Sequence, residues 1–391
     1  MSRLEELIEQ YCPDGVEYVK LGNVAQVGTG SSNGNEAVDE GAYPFFVRSQ
    51  TVKRKDDYEY DEEAIIIPGE GRIGDIFHYV NGKYALHQRV YRIHFTTSDL
   101  NVKFVFYYMR SAFKKFIMMK AVNATVTSIR KPMIESFEIP VPPMPVQEEI
   151  VRILDIFTEL QAELQAELQK RKLQYNYYLD NLLSFKDINR GGQGEVRWMK
   201  MSDICIKICS GGTPARNRSD YFKGNIPWLR TQEVDWADVY DTEIKITEEA
   251  IKNSSAKLIP VNCVIIAMYG ATAGKACINK IPLTTNQACC NLQINPQKAL
   301  YRFAYYWVCK EYDNIKSLGQ GSQNNINAKI VKDYLIPIPS LAEQQRIVDI
   351  LDRFDTLTND LTTGLPAEIE KRRQQYEYYR DKLLTFKRKT A

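Results

Sequence analysis

The chain writes its own ending twice. Ile139-Pro140-Val141-Pro142 opens a segment that carries Gln147, Ile150-Val151, Ile153-Leu154-Asp155 and Phe157. The same signs return at Ile336-Pro337-Ile338-Pro339, Gln344, Ile347-Val348, Ile350-Leu351-Asp352 and Phe354, a constant offset of 336 − 139 = 197. Both copies close alike, on Tyr175, Tyr177-Tyr178, Asp180, Leu182-Leu183 and Phe185 and on Tyr376, Tyr378-Tyr379, Asp381, Leu383-Leu384 and Phe386. Internal repetition constrains architecture before any local propensity does, and here it predicts a pseudo-symmetric molecule suited to a two-part target.

The repeated endings have helical spacing. In the first, apolar residues fall at Ile150, Ile153, Leu154, Phe157, Leu160, Leu164 and Leu168. From Phe157 the steps are 3, 4 and 4, an eleven-residue repeat that gives a nearly straight or slightly right-handed rod. The second copy follows with Phe354, Leu357, Leu361 and Leu365, then inserts four residues before Ile369, so the offset grows to 376 − 175 = 201. Gly364 and Pro366 sit at that insertion and predict a kink or break. Residues 146–185 would span roughly 60 Å as one helix, too long for the core helix of one domain. Two near-copies, each following its own domain, most simply pair with each other and hold the domains at a fixed separation. The seam and partner-docking residues expected on this reading are Ile150, Leu154, Phe157, Leu164, Leu168, Ile347, Leu351, Phe354 and Leu361.

The segments before the helices repeat more faintly. Val16–Val24 aligns with Val196–Ile204, now at an offset of 180. Each reads as a strand followed by a glycine-bearing loop, Gly28-Thr29-Gly30-Ser31-Ser32 or Ser210-Gly211-Gly212-Thr213-Pro214. Tyr43-Pro44-Phe45-Phe46 and Ile226-Pro227-Trp228-Leu229 come next, then the apolar strands Ala64–Ile67 and Cys263–Ile266, and helix follows late in each. Strands first and helix afterwards argue an α+β class, with two pseudo-symmetric globular α/β domains joined by two long helices forming an antiparallel coiled coil. The division expected is an N-terminal helix at 1–15, domains at 16–143 and 196–339, long helices at 144–185 and 340–388, and a linker at 186–195.

Composition narrows the function classes. At 391 residues the chain is long enough for two cores. Charge is nearly balanced, 51 basic against 49 acidic residues, which counts against tight nucleic-acid binding by this chain alone. No basic leader with an apolar core and no apolar run near 18 residues is present, and a soluble cytosolic protein is expected. Eight cysteines lack paired C-x-x-C spacing, and the three histidines, His78, His87 and His94, all fall in the first half, so buried thiols are expected rather than a metal site.

Motifs that resemble chemistry fail on context. Gly69-Glu70-Gly71-Arg72-Ile73-Gly74 fits a dinucleotide fingerprint but is followed by strand-like Asp75–Val80 and an Asn81-Gly82 hairpin signal rather than a helix. Gly270–Ala276 is one residue short of a phosphate loop and has Ala where a magnesium-binding hydroxyl belongs. No nucleophile and base pair can be assembled, and the chain reads as non-enzymatic. The glycine loops are tight turns that let backbone and short polar side chains approach a surface.

With its Ile-Pro-Val-Pro and Ile-Pro-Ile-Pro strings, Gln147-Glu148-Glu149-Ile150-Val151 and Glu343-Gln344-Gln345-Arg346-Ile347-Val348, the chain resembles the specificity subunits of Type I restriction-modification systems over its whole length. Ser210–Pro214, Ile226-Pro227-Trp228 and Gly319-Gln320-Gly321-Ser322-Gln323 are similar to common elements of their recognition domains; the first domain departs from them. The resemblance implies a non-catalytic DNA reader, each domain reading half of a split, asymmetric target while the helices fix the gap. It also implies two adenine-methyltransferase subunits carrying S-adenosylmethionine, and two restriction/translocase subunits that use ATP and magnesium. This chain itself would hold no cofactor and no metal.

Base reading needs Arg, Lys, Asn, Gln, Ser or Thr on loops that reach a groove. In the first domain the candidates are Ser31, Ser32, Asn33, Arg48, Gln50, Lys53, Arg54, Arg72, Gln88 and Arg89. In the second they are Arg216, Asn217, Arg218, Arg230, Gln232, Tyr269, Lys275, Asn286, Gln287, Ser322, Gln323 and Asn324. Arg48 with Arg230, Gln50 with Gln232 and Gln88 with Gln287 are expected to be repeat equivalents. The competing reading is a coiled-coil scaffold that binds only protein. Charge reversal at Arg48 and Arg230 would separate the two, since only a reader loses a methylation target while the partner complex still assembles.

Overall fold

The computed structural model describes residues 3–120, 128–185, 196–320, 325–360 and 362–389. The chain forms two compact units, Met1–Gln165 with Glu368–Ala391, and Ala166–Ala367. The expected linker at 186–195 lies outside the described residues, as do Ser322, Gln323, Asn324 and Leu361.

The first unit opens with α1 (Arg3–Tyr11), β1 (Glu17–Lys20), the single turn α2 (Leu21–Val24) and β2 (Ala25–Thr29). Then follow β3 (Tyr43–Phe46), β4 (Lys53–Lys55), β5 (Tyr60–Pro68), β6 (His78–Leu86), β7 (Val90–Phe95), α3 (Val102–Lys120), α4 (Lys131–Glu135) and β8 (Glu138–Val141). Six strands form one sheet in the order β2-β7-β5-β6-β3-β4, and β1 pairs separately with β8. The period of two sorts the central strand β5. Ile65 and Ile67 pack with Ile93 beneath Phe104, Val105, Met109, Phe113 and Ile117 of α3, spaced to line one helix face. Ala64 and Ile66 point the other way, against Phe46, Val80, Tyr84 and Leu86. The Asn81-Gly82 signal does not make a hairpin, because both residues lie inside β6, opposite Glu63 and Glu62. Gly82 absorbs a left-handed φ of 114° there, and the chain turns instead at His87–Arg89.

The second unit repeats the plan. Its strands are β9 (Arg197–Lys200), β10 (Cys205–Ser210), β11 (Ile226–Leu229), β12 (Asp238–Val239) and β13 (Lys245–Ile246). After α6 (Glu248–Lys252) come β14 (Val264–Ala267), β15 (Ala276–Asn279), β16 (Thr284–Thr285) and β17 (Cys289–Ile294). Helices α7 (Tyr301–Lys310), α8 (Tyr312–Ser317) and α9 (Ala328–Asp333) lead into β18 (Leu335–Ile338). A five-stranded sheet runs β10-β17-β14-β15-β12, a three-stranded one β13-β11-β16, and β18 pairs with β9. Strand β14 alternates as β5 does, Val264 and Ile266 facing Phe303 of α7, Ile265 and Ala267 facing Leu229 and Cys289. Burial pushes the Cys263 and Cys290 thiols up to about 12, so both are inert protonated core residues.

Three helices complete the units: α5 (Met144–Leu182), α10 (Leu341–Asn359) and α11 (Leu365–Leu383). The second long helix is therefore broken where Gly364 and Pro366 predict, and it ends at Leu383 rather than 388. Beyond it the chain leaves helical geometry and Arg388 bridges Val16. Each unit closes one antiparallel helix pair. In the first, Phe157 of α5 stacks on Tyr379 of α11 at 5.6 Å, and the Gln161 amide donates to the Arg372 carbonyl oxygen at 3.4 Å. In the second, Tyr178 of α5 stacks on Phe354 of α10 at 5.0 Å. These are the same pair under the repeat, since 354 − 157 = 197 and 379 − 178 = 201. Four expected seam residues do other work: Ile150 and Leu154, and Ile347 and Leu351, are fully buried in the globular core of their own unit.

A glutamine fixes each helix start. Gln147 is fully buried; its Oε1 accepts from Asn101 N–H at 2.8 Å and its Nε2 donates to the Asp99 and Pro142 carbonyls. Gln344, equally buried, accepts from Leu300 N–H and donates to Lys298 and Pro339. About two turns on, Asp155 takes Lys103 and Tyr107, while Asp352 takes Arg302 and Tyr306.

Close approach explains a matched glycine in each unit. A Cβ at Gly30 would lie 1.8 Å from the Leu86 carbonyl oxygen, and one at Gly211 would lie 2.0 Å from that of Thr285. Gly211→Ala is expected to lower the thermal midpoint of the chain by an amount equivalent to about 1–3 kcal/mol. An unchanged midpoint would show that the loop moves aside freely.

Candidate nucleic-acid interface

The candidate loops gather at one end of each sheet through backbone hydrogen bonds. In the first unit Ser32 N–H donates to Leu86, Gln88 N–H to Ser32, His87 N–H to Phe46, Gly69 N–H to Arg89 and Ile129 N–H to Gly69. In the second, Gly212 N–H donates to Thr285, Asn286 N–H to Leu229, Met268 N–H to Ala288 and Ile326 N–H to Met268. The two sets superimpose in register, because the ladders place Ile93 with Leu292, an offset of 199. Gly71 and Gly270 then coincide, and both have left-handed φ, 88° and 84°. One frame is built twice.

In the first unit the frame presents an ionic cluster. Glu70, just past β5, accepts from Arg89 Nη1 at 3.0 and 2.8 Å and from Arg48 Nη1 at 3.2 Å. The Arg89 hydrogen bond holds the Glu70 carboxyl below the ordinary carboxylate value. His87 is pushed toward its neutral form, first by desolvation, and its Nδ1 accepts from Arg89 N–H at 3.0 Å. Gln88 Nε2 donates to Asn33 Oδ1 at 2.7 Å, tying the turn to the glycine loop. Gln50, Lys53 and Arg72 are exposed and have no side-chain partner among the described residues.

Three candidates in this unit are structural. Ser32 is only 3% exposed; its hydroxyl donates to Glu59 and accepts from Lys55 Nζ at 2.8 Å, so it cannot reach a base. Ser31 gives its backbone N–H to the same Glu59 at 3.0 Å, although its side chain is exposed. Arg54 spends its guanidinium on the Gly41 and Ala42 carbonyls at 2.7 and 3.0 Å. Lys55, absent from the expectations, is the hub of this loop, with Glu36 at 2.8 Å and Asp57 at 3.1 Å.

In the second unit Arg216, Asn217, Gln232 and Tyr269 are exposed without side-chain partners among the described residues. Arg218 forks onto Asp220 at 2.9 and 2.7 Å. Lys275 pairs with Asp235 at 2.5 Å, and Asn286 Oδ1 caps Ala288 N–H at 3.2 Å. The Thr213 hydroxyl donates to Gln287, which repeats the Gln88–Asn33 tie and upholds the Gln88–Gln287 equivalence. The Trp228 indole N–H, donated to the Gly212 carbonyl at 3.0 Å, pins the loop from below.

The Arg48–Arg230 equivalence does not hold. Phe46 lies beside Leu86 and Leu229 beside Thr285, which matches Arg230 to Val47 and Arg48 to Thr231. Gln50 and Gln232 slip by the same residue. Arg230 is moreover half-buried and held by Glu233 and Glu243, so it braces its loop. Glu70 was missed because it lies inside a glycine motif that reads as a failed nucleotide site; the glycines on either side of it, Gly69 and Gly71, were the available signal.

Two copies of one loop frame, carrying different polar side chains at matched places, define a duplicated recognition protein. The Type I restriction modification DNA specificity domain matches residues 13–171 and again 194–371, and the chain belongs to that family of specificity subunits. It is therefore a DNA target-recognition subunit and not the catalytic member of its system. It is 43% identical over 249 residues to the EcoR124I/EcoR124II specificity subunit of Escherichia coli, a match covering 62% of this chain and 59% of that protein, less than two thirds of its length. To a putative Type I specificity subunit of Haemophilus influenzae it is 30% identical over 98% of both chains. The crystal structure of the S subunit from M. genitalium shares the fold, with a TM-score of 0.64 at 16% identity over 95% of this chain and 96% of that one. No described helix is long and apolar enough to cross a membrane.

Proposed function

We propose that each unit reads one half of a bipartite, asymmetric DNA site, and that the long helices fix the unread gap and dock two adenine-methyltransferase subunits in the cytoplasm. Those partners bring S-adenosylmethionine, and two restriction/translocase subunits joined to them use ATP and magnesium. The observation that carries this reading is one frame with different side chains at matched positions: Glu70 against Tyr269, Arg89 against Ala288, Val47 against Arg230. Shared backbone with divergent loop chemistry suits two halves of different sequence, whereas a protein-binding scaffold has no use for it. The near-neutral charge fits a reader whose phosphate clamp is completed by partners.

The test is modified-base sequencing of genomic DNA from cells that express the chain with its methyltransferase subunit. A methylated-adenine motif in two parts with a fixed gap is expected. Arg72→Glu and Arg216→Glu, both exposed and without a side-chain partner among the described residues, are each expected to cut the methylated fraction roughly 10-fold or more while the complex still assembles. Arg48 and Arg230 are poorer targets for charge reversal, since both would break ion pairs. A bound, expressed methyltransferase that leaves no such motif would favour the scaffold.

A further inference from the structure

We propose that Arg89 reads a guanine in the half-site of the first unit and that Glu70 is the residue that positions it, an inference that rests on the function proposed above. Arg89 sits in the tight turn between β6 and β7, where Val90 N–H closes onto the His87 carbonyl oxygen at 2.9 Å. Its own N–H is held by His87 Nδ1 at 3.0 Å, so the backbone beneath the side chain is fixed. Glu70 takes only Nη1, with both carboxylate oxygens, at 3.0 and 2.8 Å. Nε and Nη2 make no hydrogen bond within the described protein, and the side chain is 56% exposed. That leaves one planar edge with two parallel donors that no described residue takes up.

Two parallel donors match the O6 and N7 acceptors that guanine alone presents side by side in the major groove. An unheld arginine would lose rotamer freedom on reaching the base, and a carboxylate that already fixes one end of the guanidinium removes part of that cost. Arg48 reaches the same carboxylate by a single contact at 3.2 Å and is held less firmly. The second unit has Tyr269 and Ala288 at the matched places, so this guanine reader belongs to the first unit alone.

Arg89→Lys separates base reading from phosphate contact, because lysine keeps the charge and loses the paired donors. The chain is expressed with its methyltransferase subunit, and methylation is read genome-wide. In the wild type, one half of the motif should carry a G·C pair. With Arg89→Lys, methylation should spread to other pairs at that one position, discrimination there falling roughly 10-fold or more, with the other half unchanged. Glu70→Gln should relax the same position by less, and Glu70→Asp should restore it, which a role in folding alone would not produce. A uniform loss of methylation with the motif intact would make Arg89 a phosphate contact and overturn the inference, as would no change. A wild-type complex that leaves no two-part motif overturns the proposed function itself; a two-part motif that Arg89→Lys leaves intact overturns only this inference.

Discussion

A third Gln-Ala-Glu-Leu unit, inserted after Leu168 of α5, is expected to lengthen the gap of the recognised site by one or two base pairs and leave both half-sites unchanged. The tandem Gln161–Leu164 and Gln165–Leu168 lies in the middle of a helix of 39 residues, and Ala162, Glu163, Gln165 and Ala166 in it are exposed. A four-residue unit keeps the apolar step of four, so Leu164 and Leu168 gain a helical neighbour of their own kind. It adds about 6 Å of rise and turns the helix about 40° beyond a full turn. Duplex DNA rises about 3.4 Å per base pair and turns roughly 35°, so the added advance and twist are both of a size that a longer gap absorbs. The measurement is the methylated motif of the insertion variant beside that of the parent. A constant gap would remove the helix as the spacing element.

Gln147→Leu is expected to destabilise the first unit by about 3 kcal/mol, and Gln344→Leu the second by a similar amount. Leucine is close to glutamine in volume, so the loss is not a cavity. It strands the Pro142 carbonyl in a buried site and the partly buried Asn101 N–H and Asp99 carbonyl beside it; a buried group left without a partner costs about 1–3 kcal/mol, and water relieves part of the cost at the two half-buried ones. Denaturant unfolding should shift its midpoint with little change in slope. A shift below about 1 kcal/mol would mean that the glutamine is ornamental and that the apolar contacts of Ile150 and Leu154 hold the helix start alone.

The sequence carried the large features because they are periodic. Two copies, two α/β layers, two long helices and a break at Gly364 all follow from spacing and from glycine and proline at fixed offsets. The matched positions within the domains were harder. An offset of 180 at the first strand becomes 199 in the central sheet and 197 at the helix start, as loops of different length accumulate between ladders. Arg48 was consequently set against Arg230, one residue out of step. The ion pairs were beyond local reading altogether. Arg48, Glu70 and Arg89 are spread over some forty residues; the β5–β7 pairing brings Glu70 to Arg89, and the β3–β6 pairing brings Arg48 to both. Asn81-Gly82 misled for the opposite reason, a strong local turn signal overridden by seven paired residues of β5 and β6.

The division of α5 also sets an order of events at the ribosome. The first unit keeps the edge of its core beside Phe157 uncovered until Tyr376 of α11, and Leu384 just past that helix, arrive. Tyr376 is made 376 − 157 = 219 residues after Phe157. At about 5–20 residues per second, that is a wait of roughly 10 to 45 s. The second unit has no such wait, since Ala166–Ala367 is one unbroken stretch. The half of the protein that begins first is therefore the half that finishes last, and a nascent chain halted before α11 carries one completed reader and one with an open seam.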